Sequence, residues 1–148
     1  MEIWIRNDRP ERIDEERLRR RLGSALSASG CEPSTELSVW LCSDADIQEL
    51  HRTYFGLDSP TNVISFSQRE GEAGAMDPAV LGDVVVSLDT AAREAEEAGW
   101  PLEDMVFYLC LHGLLHLLGY DHEGAQAHRA AEMEARQEEL FQRIRRET

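Results

Sequence analysis

The sequence HGLLHLLGYDH at residues 112–122 holds three of the five histidines of this chain. His112 and His116 are four residues apart, so on a helix they lie on one face, one turn apart. Gly119 can adopt the left-handed backbone conformation that ends a helix, which brings His122 back toward the same point. Three neutral imidazoles on one ion leave a fourth position for water, as in catalytic zinc sites. The spacing therefore predicts a metal site with His112, His116 and His122 as its ligands.

A structural role for the first two histidines is the alternative, because pairs at this spacing also occur in cores and on helix surfaces. The third histidine after a helix-ending glycine favours the metal site. So do the leucines on both sides of the helical pair, since burying an imidazole among leucines without a partner is unfavourable. For His51 and His128, the other two histidines, we expect no role at the metal.

The residue after the first histidine separates this pattern from that of the zinc proteases. Those enzymes carry H-E-x-x-H, and the glutamate is their general base. Here the position is Gly113, and the nearby acids Asp121 and Glu123 do not occupy the helical position that would aim a carboxylate at the metal. Zinc lowers the pKa of a bound water to about 7 without such a base. The sequence therefore predicts a zinc hydrolase whose substrate is not a peptide.

Length and composition are those of a single globular domain. The chain has 148 residues, of which 42% are hydrophobic and 30% charged, and we expect one domain over residues 1–148. The N-terminal residues have no signal-peptide pattern, and the longest apolar run is too short to span a bilayer. We therefore expect a cytoplasmic protein with no membrane partner. The three cysteines are expected to be reduced and mostly buried.

The net charge of −14 is large for this length, and all fifteen basic residues are arginine. An acidic chain is a poor general binder of nucleic acid, because phosphate contacts need local positive charge. A locally basic groove, or a metal site that attracts phosphate, is compatible with that net charge. The arginines at positions 17 and 19–21 are expected to lie on a solvated helix face, with contact to an RNA backbone as the alternative.

Hydrophobic periodicity predicts four strands and about five helices. The strands are expected at 2–7, 36–42, 62–66 and 81–87, and the helices at about 14–28, from 43 onward, at 90–98, 101–118 and 125–145. Residues 68–78 are expected to form a flexible surface loop. Because the elements do not alternate strictly, we expect an α+β domain with a small four-stranded mixed sheet. The helix at 101–118, apolar nearly all round, would be its central, zincin-like, metal-bearing helix.

Three ordered motifs resemble those of the YbeY family, bacterial zinc-dependent endoribonucleases of rRNA maturation. They are PTNVISF at 60–66, LGDVVV at 81–86 and the histidine motif at 112–122. The resemblance extends over about residues 50–123. It implies a single-domain α+β metalloprotein with one Zn²⁺ per chain, held by three ligands: His112, His116 and His122.

The resemblance also implies a substrate and partners. The substrate is single-stranded RNA, which would be cleaved in 3′-end maturation of small-subunit (16S) rRNA and in ribosome quality control. The partners would be the ribosome or small-subunit proteins, and no role on DNA is expected. Attack by water and attack by the RNA 2′-hydroxyl both fit. Ser65, Asp83 and Asp121 are candidates to support the ligands or to face the substrate, since a ligating imidazole usually donates its other N–H to such a group.

One position departs from the family pattern. Family members commonly carry an arginine directly after the aromatic residue that corresponds to Tyr54, and here that position is Phe55. A guanidinium there is suited to holding phosphate. Arg52, on the adjacent turn of the helix, is the candidate catalytic replacement. Without a replacement, the chain fits a zinc-containing ribosome assembly factor with little nuclease activity; a general metal-dependent hydrolase of a small phosphoester or amide is a third alternative.

Overall fold

The computed structural model describes residues 1–68, 79–120 and 127–148, with side chains in the last range from residue 130 onward. All but the first residue of the predicted loop at 68–78 lie outside these ranges. So do Asp121 and His122, and the side chain of His128. The predictions made for them stay predictions.

Four strands and five helices make up the described chain, which confirms the predicted α+β class. In chain order they are β1 (Glu2–Asn7), α1 (Glu15–Ala28), β2 (Glu36–Cys42), α2 (Asp44–Phe55), β3 (Val63–Ser67), β4 (Val80–Ser87), α3 (Leu88–Ala98), α4 (Leu102–Leu117) and α5 (Ala127–Glu147). Helix boundaries follow local signals: the hydroxyl of Ser43 caps α2 by accepting from the amide of Asp46, and Gly99 ends α3 in the left-handed conformation. The helix predicted to start at residue 101 begins one residue later, because Pro101 is the N-cap of α4.

The sheet is mixed, as predicted, with strand order β1-β2-β4-β3. Strands β1, β2 and β4 are parallel, and β3 lies antiparallel to β4 at one edge. The register places Val39, Val84 and Ser65 side by side on one face. Because side chains alternate along a strand, the neighbouring Ile64 and Val85 point to the other face. Ser65 therefore lies at the edge of the face on which α4 packs.

Two apolar clusters hold the helices to the two faces of the sheet. The larger one joins α1, α3, α4 and α5 to the face that carries Val84 and Val86. The smaller one consists of Cys42, Ile47, Ile64 and Val85, beneath α2 on the opposite face. Helix α4 is buried on nearly all sides, as its apolar sequence predicts. The sheet and three helices thus fix the position of the histidine-bearing helix.

The arginines of α1 do not form a uniform solvated face, so that prediction is wrong for Arg21. Its side chain is 1% exposed, donates to Oδ1 of Asp104 at 3.0 Å and lies over the ring of Phe107. Arg17 donates to Oε2 of Glu103 at 3.1 Å. The acidic start of α4 therefore attracts α1, and the buried arginine joins the two helices.

Two of the three cysteines are buried, as the sequence predicts. Cys42 and Cys110 are buried, and burial raises the pKa of each thiol to about 12. A thiol that stays protonated at neutral pH is a poor metal ligand or nucleophile. Within the described residues, no helix is both long and apolar enough to cross a membrane.

Candidate metal centre

Helix α4 brings two imidazole nitrogens close together. Nε2 of His112 lies 3.2 Å from Nε2 of His116, and the ring planes are inclined at 76°. Two nitrogens bound to one zinc ion at about 2.1 Å in a tetrahedral arrangement lie about 3.4 Å apart. The separation of the pair therefore fits two ligands of a single ion.

The orientation of His112 is set by helix α5. Nε2 of Gln137 donates to the carbonyl oxygen of Tyr108 at 3.1 Å, so Oε1 of the same amide faces Nδ1 of His112 at 3.2 Å. Because an amide oxygen only accepts, Nδ1 carries the hydrogen. In the neutral ring the lone pair is then on Nε2, on the side of His116, as a metal ligand requires.

The orientation of His116 is set by the end of its own helix. Gly119 has φ = 104°, and the amide of Tyr120 bonds the carbonyl of Leu115 at 3.1 Å. This predicted helix end brings the carbonyl oxygen of Tyr120 to 3.0 Å from Nδ1 of His116. A carbonyl also only accepts, so the lone pair of neutral His116 is likewise on Nε2.

The contact from Gln137 leads to a test of metal affinity. Gln137→Leu is expected to weaken zinc binding roughly 10- to 100-fold, because His112 loses the acceptor that fixes its ring. Gln137→Glu keeps an acceptor for His112 but loses the donor to the Tyr108 carbonyl, and is expected to bind zinc more tightly than the leucine variant. Competition with a chromogenic chelator measures both affinities, and Gln142→Leu, on an exposed part of α5, is the control. Equal affinities for the leucine and glutamate variants would contradict this role.

A cleft of about 240 Å³ opens beside the histidine pair, between α2, β3 and α4. Its described lining consists of His51, Phe55, Thr61, Val63, Ile64, Ser65, His112, Gly113 and His116. The lining is small, apolar or hydroxyl-bearing apart from its histidines. None of these residues is Asp, Glu, Lys or Arg, so the described walls bring no fixed charge to the cleft.

Of the other predicted site residues, the structure brings Ser65 to the cleft but not Asp83. Asp83 lies on the opposite face of the sheet, where it lines a separate groove and accepts from Nε2 of Gln68 at 3.4 Å. Because the sheet lies between them, Asp83 cannot hydrogen-bond directly to the imidazoles of His112 and His116. A role of Asp83 on the substrate side stays a prediction. His122, the predicted third ligand, lies outside the described residues, and among those described no cluster of three or more metal-binding side chains occurs.

Arg52 is exposed on α2 and pairs with Glu49, three residues earlier. It is not among the residues that line the cleft, whereas its neighbours His51 and Phe55 are. Its catalytic role therefore stays a prediction, and the described wall of the cleft does not include it.

Two residues of this site, His51 and Gln137, are not predicted from the sequence. The signal for Gln137 is a polar residue on an otherwise apolar stripe, at helical spacing from Met133, Leu140 and Phe141. Its 4% exposure shows that the stripe is buried. His51 carries no comparable signal, because its place in the cleft depends on how α2 packs beside β3.

Comparison with known proteins identifies the family. Residues 4–145 match the family described as Endoribonuclease YbeY. The chain belongs to the YbeY family. It is 49% identical over 146 residues to the Endoribonuclease YbeY of Syntrophotalea carbinolica, covering 98% of this chain and 97% of that protein. The Endoribonuclease YbeY of Geobacter metallireducens is 47% identical over 148 residues, with 99% and 98% covered.

A solved structure supports the same fold. The solution structure of TM1509 from Thermotoga maritima superposes with a TM-score of 0.66 and 25% sequence identity. The match covers 96% of this chain and 88% of that one. The four-stranded mixed sheet with five helices is therefore shared with a protein of known structure, and the three motifs that predicted the YbeY family belong to a chain-long similarity.

Proposed function

We propose that this YbeY-family chain is a zinc-dependent endoribonuclease that cleaves single-stranded RNA in the 3′-end maturation of small-subunit rRNA. The observation that carries the proposal is the pair of Nε2 atoms 3.2 Å apart in the wall of a cleft. Relatives that match along nearly the whole chain are named endoribonucleases, which supports RNA as the substrate.

Zinc fits the residues that are present. His112 and His116 each use Nδ1 as a donor, so both offer Nε2, and two imidazoles favour zinc over magnesium or calcium. We propose His122 as the third ligand, with one ion per chain. When bound, zinc supplies a Lewis acid that polarises a phosphoryl oxygen and makes a water molecule more acidic.

The chain's own residues would position the RNA. The hydroxyls of Thr61 and Ser65 line the cleft and can donate to phosphoryl oxygens. The ring of Phe55 lines the same cleft and is 51% exposed, so it offers a surface on which an unpaired base can stack. A base within a duplex has no free face for such stacking, which supports a preference for single strands.

The substrate class has a direct test. The purified zinc-loaded protein is expected to cleave a single-stranded RNA that carries the 3′ end of small-subunit rRNA, and to leave the same RNA intact when it is paired with its complement. Product ends decide the chemistry, because a 2′,3′-cyclic phosphate identifies the 2′-hydroxyl as the nucleophile. Faster turnover of a small phosphoester or amide than of RNA would favour the general hydrolase instead.

A second function is favoured by Phe55. The position where family members commonly carry arginine lies in the cleft wall and brings no charge there. This supports a zinc-containing ribosome assembly factor with little nuclease activity. The two functions differ in cells that lack the native gene, where a folded His116→Ala variant restores rRNA processing only if cleavage is dispensable.

Arg52 is proposed to contact an RNA phosphate at the rim of the cleft. Arg52→Ala is expected to weaken RNA binding severalfold, and to lower the slope of log affinity against log salt by about 1, because one phosphate contact is lost. Binding titrations at several salt concentrations measure both quantities. Arg9→Ala, which removes an exposed arginine outside the described cleft, controls for the change in net charge. Identical salt slopes for the two variants would remove Arg52 from the site.

We also propose that residues 1–148 form one domain that works in the cytoplasm. Its partners are proposed to be the ribosome or small-subunit proteins, and its roles to be rRNA maturation and ribosome quality control. One continuous core that joins α1, α3, α4 and α5 to the sheet supports the single domain. The acidic net charge supports RNA contact at a defined site rather than over a broad surface, and we expect neither a DNA nor a membrane partner.

A further inference from the structure

His51 reaches the cleft from a different element than the metal pair. It lies on α2, is half-buried, and lines the cleft together with His112, His116 and Ser65. Apart from the two histidines of α4, His51 is the one described lining residue that carries an imidazole, the side chain used most often in general acid–base catalysis. Such a group can speed hydrolysis, because the attacking oxygen must lose a proton and a positioned base accepts it.

The ring of His51 is held by the loop that follows its helix. Gly56 ends α2 with φ = 70°, and the chain turns back so that the carbonyl oxygen of Ser59 lies 2.8 Å from Nδ1 of His51. The carbonyl only accepts, so Nδ1 keeps its hydrogen in both protonation states. In the neutral ring the lone pair is therefore on Nε2, which is the atom that gains and loses a proton.

Neighbouring groups leave this arrangement intact. The ring of Phe55 packs against the imidazole with 5.9 Å between centroids. The nearby charged side chains have partners of their own: Arg52 donates to Glu49, and Asp58 accepts from Gln48 at 3.0 Å. A carbonyl and an aromatic ring thus orient the imidazole.

We propose that His51 is a catalytic residue, the general base of the cleft, an inference that rests on the proposed endoribonuclease function. Nε2 takes the proton of the attacking oxygen, from water or the 2′-hydroxyl, while that oxygen forms its bond to phosphorus. The bond from phosphorus to the 5′-oxygen breaks, and the departing oxygen takes a proton from solvent. The imidazolium then returns its proton to solvent, which closes the cycle.

Single-turnover kinetics of His51 variants test the proposal. His51→Gln and His51→Ala are expected to lower the cleavage rate at saturating protein roughly 100- to 10,000-fold, with zinc content, RNA affinity and thermal unfolding unchanged. Added imidazole is expected to restore part of the rate to His51→Ala, where it can enter the vacated space, and not to His51→Gln. Thr53→Ala, on an exposed position of the same helix, is the control and is expected to cleave like the wild type.

The outcomes separate the possible failures. Cleavage by His51→Gln at the wild-type rate would overturn the inference and leave the proposed function standing. Loss of zinc from the variants would assign His51 to the metal, and weaker RNA binding at an unchanged rate would assign it to binding; each overturns the base. No cleavage of single-stranded RNA by the zinc-loaded wild type would overturn the proposed function, and the inference with it.

Discussion

Replacing His116 with alanine is expected to abolish zinc retention and RNA cleavage together. The variant lacks one of the two Nε2 atoms that lie 3.2 Å apart, so the metal loses a ligand and the Tyr120 carbonyl loses the imidazole that it orients. Two quantities are measured on the same preparation of each protein. Atomic absorption after dialysis gives the zinc content per chain, and single-turnover kinetics give the cleavage rate on single-stranded RNA. His128→Ala removes a histidine to which no metal role is assigned, and is expected to keep both properties.

Thermal unfolding of metal-free samples shows whether the His116→Ala fold is intact. If the folded His116→Ala variant cleaves RNA at the wild-type rate, the zinc mechanism is contradicted. Retained zinc with lost cleavage would instead indicate that the ion is held mainly by other residues.

Gly113→Ala is expected to destabilise the protein by about 1–3 kcal/mol through overpacking. A Cβ at this position would lie 2.8 Å from Cγ1 and 3.1 Å from Cγ2 of Val84, which is fully buried and β-branched. Helix α4 must then move away from β4, and it carries His112 with it. Because misplacement by about 1 Å can lower a rate about 100-fold, cleavage is expected to fall more than stability alone explains.

A smaller side chain at position 84 on β4 tests this explanation of the Gly113→Ala effect. If the steric contact is the cause, Val84→Ala combined with Gly113→Ala is expected to be less destabilised than the sum of the two single variants. Urea unfolding gives the three stabilities, and the single-turnover rate shows whether the cleft recovers. Additive effects would contradict the proposed contact between the helix and the strand.

The same contact refines the comparison with zinc proteases. In the sequence, Gly113 occupies the position at which zinc proteases carry their glutamate base. In the fold, it faces Val84 and allows α4 to lie close to the sheet. A glutamate at this position would displace the helix before it could act on a metal-bound substrate, so the glycine has a packing role as well.

The sequence predicted those features of the fold that depend on neighbours along the chain. The cap at Ser43 and the left-handed helix end at Gly119 are decided by residues within one turn. The burial of Arg21 is different, because its partner Asp104 is 83 positions away and no local pattern announces the pair. The opposite facing of Asp83 likewise depends on which face of β4 receives α4.

The residues of the site likewise fall into those predictable from local sequence and those that depend on tertiary packing. His112 and His116 could be paired from their spacing because both lie on one helix. Gln137 and His51 come from α5 and α2, and only tertiary packing brings them to α4. The sequence offers Arg52 as a candidate on α2, yet one position along a helix is a rotation of about 100°. That rotation separates the exposed arginine from the histidine in the cleft.

Titration of zinc into the metal-free protein shows whether RNA cleavage depends on one zinc ion per chain. Bound zinc and the single-turnover cleavage of a single-stranded rRNA 3′-end substrate are measured in the same samples. We expect cleavage to rise in proportion to bound zinc, to reach its limit at one ion per chain and to disappear when a chelator removes the metal. Full cleavage by the metal-free protein, or stoichiometric zinc binding with no cleavage, would contradict this expectation.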